Sequence, residues 1–277
     1  MRRWQRLGVD PGTAKGGYDV LVENTKEMLS DLRDYPNIPH DWDREVAIAG
    51  LISDHTIVGI LGHLQYPHPF GAEVSAYGIR AAEIAIDYFE GDWRDEYVYL
   101  SDNGPRKLTR EQCRKKLDWI ETYREGLMWS LCFDLEEPLQ RLLAWPGTDL
   151  PFDDGTFRLT KEDNKYHVIL ARCLRGESLS KNSRLVSGIQ ESSRIRPKRL
   201  LEILEKVLLG DTPGFAKKFA QWVNAFRKQE FNAQQIWLVF SIEATILWHV
   251  ARRYGLELPE QPLELLDLIV RQETLVP

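Results

Sequence analysis

Apolar and polar positions along this chain repeat mostly with a helical period. Residues 18–33, YDVLVENTKEMLSDLR, place Val20, Leu21, Met28, Leu29 and Leu32 on one broad face. Residues 41–64 are apolar around most of their circumference, the pattern of a central helix, with Gly50, Gly59 and Gly62 permitting close approach. In 72–90 a charged stripe of Glu73, Arg80, Glu83 and Asp87 opposes an apolar one. Thr109 and Gln112 form a capping box predicting a helix to about Phe133, and Pro138 opens a short helix to Trp145.

Beyond the turn-rich stretch 145–156, Thr160 caps a helix whose core side carries Tyr166, Ile169, Leu170 and Cys173. Residues 176–196 are rich in Ser, short of apolar periodicity and basic through Lys181, Arg184, Arg194 and Arg196. They read as a mobile or irregular connection. Pro197 restarts a helix that Gly210 ends, Pro213 opens the next, Asn232 caps a long one across 234–255, and Pro262 begins a last short one. Strand-like alternation is confined to YVYL, residues 97–100.

The expected fold is therefore all-α, a multi-helix array of antiparallel helix pairs with room for one short β-hairpin. The expected organisation is an N-terminal extension at 1–16, a helical half at 17–147 and a second at 148–277, together forming one continuous domain.

Composition sharpens this picture. The 277 residues are 43% hydrophobic, enough for a large core, and carry a net charge of −6 with a pI near 5.6. That balance opposes general nucleic-acid binding, which needs a basic face. It suits solubility and a basic partner. Cys113, Cys132 and Cys173 form no CxxC pair and fall in helical patterns, as free thiols of a reducing compartment do. No apolar run follows the basic N-terminus and none is long enough to span a bilayer, so a cytoplasmic protein is expected.

Candidate chemistry is sparse. LGVDPGT, residues 7–13, resembles the opening of a RuvC-type nuclease core, in which the Asp ends a buried strand and holds a metal ion. Here Arg2, Arg3, Gln5 and Arg6 precede it, so no central strand can form. Asp10-Pro11-Gly12-Thr13 reads as a turn. On an expected helix, His55 and His63 point about 80° apart, and Asp54 lies about 100° from His55, too dispersed for one metal ion. His40, His68 and His167 are isolated. No metal and no cofactor are expected.

Glu243 shares a helical face with Ile236, Phe240, Leu247, Val250 and Tyr254. A carboxylate there must be neutral or partnered, and an anchor reached by an Arg or a backbone amide from another helix is favoured over a catalytic acid. Arg252, Arg253 and Gly255 need only local roles, as cations and a left-handed residue at a helix end. Of the nine tryptophans, Trp222, Trp237 and Trp248 sit in helical patterns as core residues. Trp93 differs. With Tyr97 and Tyr99 it is surrounded by Glu90, Asp92, Asp95, Glu96 and Asp102, a composition suited to docking a basic partner. Asp149, Asp153 and Asp154 are candidates to extend that surface.

The C-terminal segment FNAQQIWLVFSIEATILWHVARRYGLELPEQPLELLDLIV, an acid followed by L-x-x-x-A-R-R-x-G-L and a proline-rich exit, resembles Immunity-49-type proteins of polymorphic toxin systems. The resemblance covers about the last fifth of the chain. It implies an all-α cytoplasmic partner, without catalytic residues, that neutralises a cognate toxin by occluding its active site. The matching positions Glu243, Ala251, Arg252, Arg253 and Gly255 look structural rather than toxin-contacting. The runner-up reading is a non-catalytic helical scaffold, and the third a metal-dependent nuclease or hydrolase. Neither a nucleic acid nor a membrane is expected as a partner, and the oligomeric state stays open.

Overall fold

A computed structural model describes residues 96–101, 104–109, 119–144, 162–228, 241–260 and 262, with backbone alone in the two strands and at 119–122 and 125. Strands β1, Glu96–Ser101, and β2, Gly104–Thr109, pair antiparallel, with Glu96 opposite Thr109 and Ser101 opposite Gly104. Seven helices follow among the described residues: α1 Trp119–Cys132, α2 Glu136–Ala144, α3 Glu162–Leu174, α4 Ser183–Gln190, α5 Ile195–Leu208, α6 Thr212–Arg227 and α7 Ile242–Arg253. Across the described residues the fold is all-α with one short hairpin at the YVYL stretch.

Each helix is held where its sequence supplies a start or stop. Asp211 caps α6, its carboxylate accepting the Gly214 amide at 2.9 Å, with Pro213 in the first turn. Gly210 ends α5 at φ +65°, and the Asp211 amide reaches back to the Lys206 carbonyl at 2.9 Å. At the end of α1 the same left-handed position is filled by Asp134, at φ +53°, with the Leu135 amide on the Ser130 carbonyl at 2.8 Å. Three residues separate α1 from α2 and α5 from α6, and each pair packs together.

One core joins these helices. Tyr123, Leu127 and Leu131 of α1, Leu142 of α2, Val168 to Leu170 of α3, Leu204 of α5, Phe215 and Phe219 of α6 and Leu247 of α7 are buried in a single cluster. It crosses the expected division at residue 147. Tyr123 hydroxyl donates to the Leu142 carbonyl at 3.3 Å, and Arg124 donates to Asn164 at 3.0 Å, tying α1 to both α2 and α3.

Two expectations are corrected. Residues 176–196 are not an irregular connection. They form a 3-10 turn, Leu179–Asn182, and then α4. Its apolar face is Leu185 and Ile189, one turn apart and both buried, with Val186 partly buried against the same core, while Asn182 is held by Arg172 at 3.1 Å and the Ser178 carbonyl at 3.1 Å. Thr109 ends β2, and residues 110–118, where its capping box would open a helix, lie outside the described residues. The helix expected across 234–255 does not run through residue 241. Ser241 is extended, at φ −95° and ψ 107°, and its side chain accepts the Ala244 amide at 3.1 Å, so α7 starts there. Asn232, Thr160 and Pro146-Gly147 lie outside the described residues.

Candidate functional site

The polar chemistry in the described residues gathers in two places, and α7 packs against helices that carry both. The first is built on the turn between α1 and α2. Asp134 is forced into the left-handed region by the helix ending, and its carboxylate faces the last turn of α7. Arg253 donates to Asp134 at 2.8 Å and to Glu136 at 2.5 Å, while Arg252 donates to Asp134 from the other side. His249, one turn earlier and almost fully buried, has Nδ1 3.9 Å from Asp134. Arg253 and Gln140 hold the Glu136 carboxyl below its usual range. Burial works to lower the Arg253 pKa, but Glu136 and Asp134 outweigh it and raise it.

This arrangement can hold a turn to a helix, and its geometry is poor for catalysis. The carboxylates are engaged by guanidinium groups, and the one imidazole is shielded from any substrate in solution. Among the described residues no group of three or more His, Cys, Asp or Glu converges as a metal site would. Arg252 and Arg253 thus do more than complement a helix end, the local role the sequence suggested. They bridge elements more than 110 positions apart.

Glu243 lies in the first turn of α7, its side chain mostly buried and ion-paired with Arg196 of α5. Arg194, just before α5, reaches Glu162 at 3.6 Å and Asp163 at 3.7 Å. Two of the four cations that made 176–196 look like a basic linker therefore bridge to α3 and α7. His167 is satisfied inside α3, with Nδ1 2.6 Å from the Asp163 carbonyl. Burial pushes its pKa down to about 3. Burial likewise pushes the Cys173 thiol up to about 12.

The second place is the outward face of α5. Ile195 and Leu209 are 63% and 68% exposed at its two ends, and at 100° per residue they fall on one stripe with Arg199, Glu202 and Lys206. Hollows lie on both sides of this stripe. One, of about 600 Å³, separates α5 from α6; the other, of about 380 Å³, lies between α5 and the 3-10 turn and α4. Lys198 and Glu202 border both.

Of the residues singled out for toxin contact, Glu96, Tyr97 and Tyr99 lie in β1, Tyr97 opposite Leu108 and Tyr99 opposite Arg106. Asp92, Trp93, Asp95, Asp102, Asp149, Asp153 and Asp154 lie outside the described residues, as do the GVDPGT phrase, Asp54, His55 and His63. Sequence reasoning missed Asp134 and the α5 face. The first left a faint signal, an Asp where a helix-ending glycine would be usual. The second left Lys198 and Arg199 before a Gly-Asp turn and Lys218 after it, cations gathered on neighbouring helices. Comparison with family models, curated proteins and solved structures finds no match to this chain.

Proposed function

We propose that this chain is a non-catalytic helical binding protein of the immunity type, which neutralises a cognate toxin domain by covering its active site. The observation that carries the reading is the outward stripe of α5. It pairs two exposed aliphatic side chains, roughly 21 Å apart at the helical rise, with concave ground on either side. Apolar anchors set in a charged surround are how protein interfaces concentrate binding energy. The ion pairs behind that stripe support the same reading, since a preformed surface loses less entropy on docking. Among the described residues, no helix is long and apolar enough to cross a membrane. The reading has the protein acting in the cytoplasm, without a cofactor, on a toxin whose basic surface also meets the aromatic, acidic stretch from Asp92 to Asp102.

The test is co-expression with the product of a toxin-like reading frame beside the gene. The chain should restore growth, and Ile195→Asp with Leu209→Asp should abolish protection while leaving the far-UV circular dichroism and urea midpoint in place. Undiminished protection by that folded double variant removes the α5 stripe from the account. A helical scaffold, by contrast, would give no protection in the first place.

A further inference from the structure

We propose that the groove between α5 and α6 is a binding site for a short acidic amphipathic segment of a partner protein. The proposal rests on the reading of this chain as a binding protein and gives the chemistry of one contact. Among the described residues, Lys198, Arg199 and Lys228 on its walls make no ion pair, whereas the one carboxylate lining the groove, Glu202, is already bound to Lys218 at 2.5 Å. The groove thus offers three unneutralised cations in a protein whose net charge is −6. Unpaired positive charge gathered in a concavity focuses potential on an anionic ligand.

The rest of the lining narrows the occupant. Ile195, Trp222 and Ala225 contribute apolar surface beside the cations, so a wholly charged ligand would leave part of the groove without a match. The indole of Trp222 is fixed by its Nε1–H donating to Ser241 Oγ at 3.3 Å, which keeps this wall in one position. A volume of about 600 Å³ admits a few side chains from a helix or extended strand laid along α5. A long nucleic acid is disfavoured by the acidity of the chain as a whole. An amphipathic stretch carrying Asp or Glu beside Leu or Ile fits both halves of the lining. Such a contact complements the acidic Asp92–Asp102 stretch, so one toxin would meet the protein with patches of both signs.

The test uses the full chain and a labelled helical peptide of about 14 residues built from Glu and Leu, roughly the length of α5. Binding is read by fluorescence anisotropy at low and high salt. Saturable binding that salt weakens is expected, with affinity falling at least about tenfold in Lys198→Glu/Arg199→Glu and again in Lys228→Glu, while the same peptide with Lys for Glu does not bind. Equal affinity for the two peptides, or no loss in the folded charge-reversal variants, overturns the proposal. So does tighter binding of single-stranded DNA of similar charge, which would make the groove a nucleic-acid site. Growth protection is scored on the same variants. Protection that persists without peptide binding rejects the groove and keeps the binding-protein reading. Peptide binding by a chain that protects against no neighbouring product keeps the groove and rejects the immunity reading.

Discussion

Replacing Asp134 separates two physical effects that meet at one residue. Its backbone is left-handed, at φ +53°, a conformation costing ordinary residues about 1–2 kcal/mol and glycine almost nothing. Its carboxylate, 16% exposed, takes hydrogen bonds from Arg253 and Arg252, whose side chains are 22% and 46% exposed. Hydrogen bonds to charged groups contribute about 1.5–3 kcal/mol when sheltered, and exposed ion pairs less than about 1 kcal/mol. Arg253 falls toward the first case and Arg252 toward the second. Removing the carboxylate should then cost about 2 kcal/mol.

Asp134→Ala loses the carboxylate and keeps the backbone strain that Asp134 already bears, so it should destabilise by about 2 kcal/mol. Asp134→Gly loses the carboxylate but sheds that strain, and should cost only about 1 kcal/mol or less. Urea unfolding followed by circular dichroism measures both, with the slope of free energy on urea unchanged. Combining Asp134→Gly with Arg253→Met should cost less than the sum of the single changes, because each already removes the shared contact. Gly and Ala variants of equal stability would refute the backbone argument. Losses under about 0.5 kcal/mol in both would show that the ion pairs hold nothing.

Three further outcomes are expected. His167, whose folded pKa is pushed far below its unfolded value of about 6.5, stays neutral while the unfolded chain takes up a proton. Stability should therefore fall as pH drops through about 6.5, losing about 1 kcal/mol between pH 7 and 5.5. That loss should vanish in His167→Gln, and an unchanged pH slope in the variant would count against it. Gly188→Ala should stabilise α4 by about 0.5–1 kcal/mol in urea, since the added methyl meets only the flexible end of Lys165, at 3.2 Å; a lower midpoint would mean that Lys165 cannot give way. Ser241→Ala should cost about 1–2 kcal/mol through the lost cap of α7, and a thermal midpoint equal to the parent's would show the cap to be dispensable.

The helices that were legible in the sequence are those with punctuation and a wide apolar face. Pro197, Gly210 and Pro213 bracket α5 and α6 within one or two residues, and α3 buries the four side chains its period picked out. What failed was short or tertiary. The eight residues of α4 carry too few apolar positions to stand out from a serine-rich loop, and only the walls around Leu185 and Ile189 make it a helix. The start of α7 was invisible because apolar residues continue on both sides of Ser241, while the deciding interaction is a single hydroxyl. Glu243 was legible as an acid in need of a partner. Arg196 could not be named, since nothing local links positions 47 residues apart.

These contacts give α7 a role that its sequence, mostly apolar with two arginines at the end, does not suggest. At its start Glu243 holds Arg196 at the head of α5, and the capping Ser241 holds the indole of α6 that lines the groove. At its end Arg252 and Arg253 hold the α1–α2 turn, and the Tyr254 hydroxyl donates to the Cys173 carbonyl of α3 at 2.6 Å. One 12-residue helix therefore touches both walls of the α5–α6 groove from behind and is itself fixed to α1, α2 and α3. Polar contacts fix direction where apolar packing alone tolerates sliding, so the width of the groove is set by residues outside it. Glu243, Arg252 and Arg253 are thus structural residues, and with Ser241 they orient the α5–α6 surface from positions that do not line it.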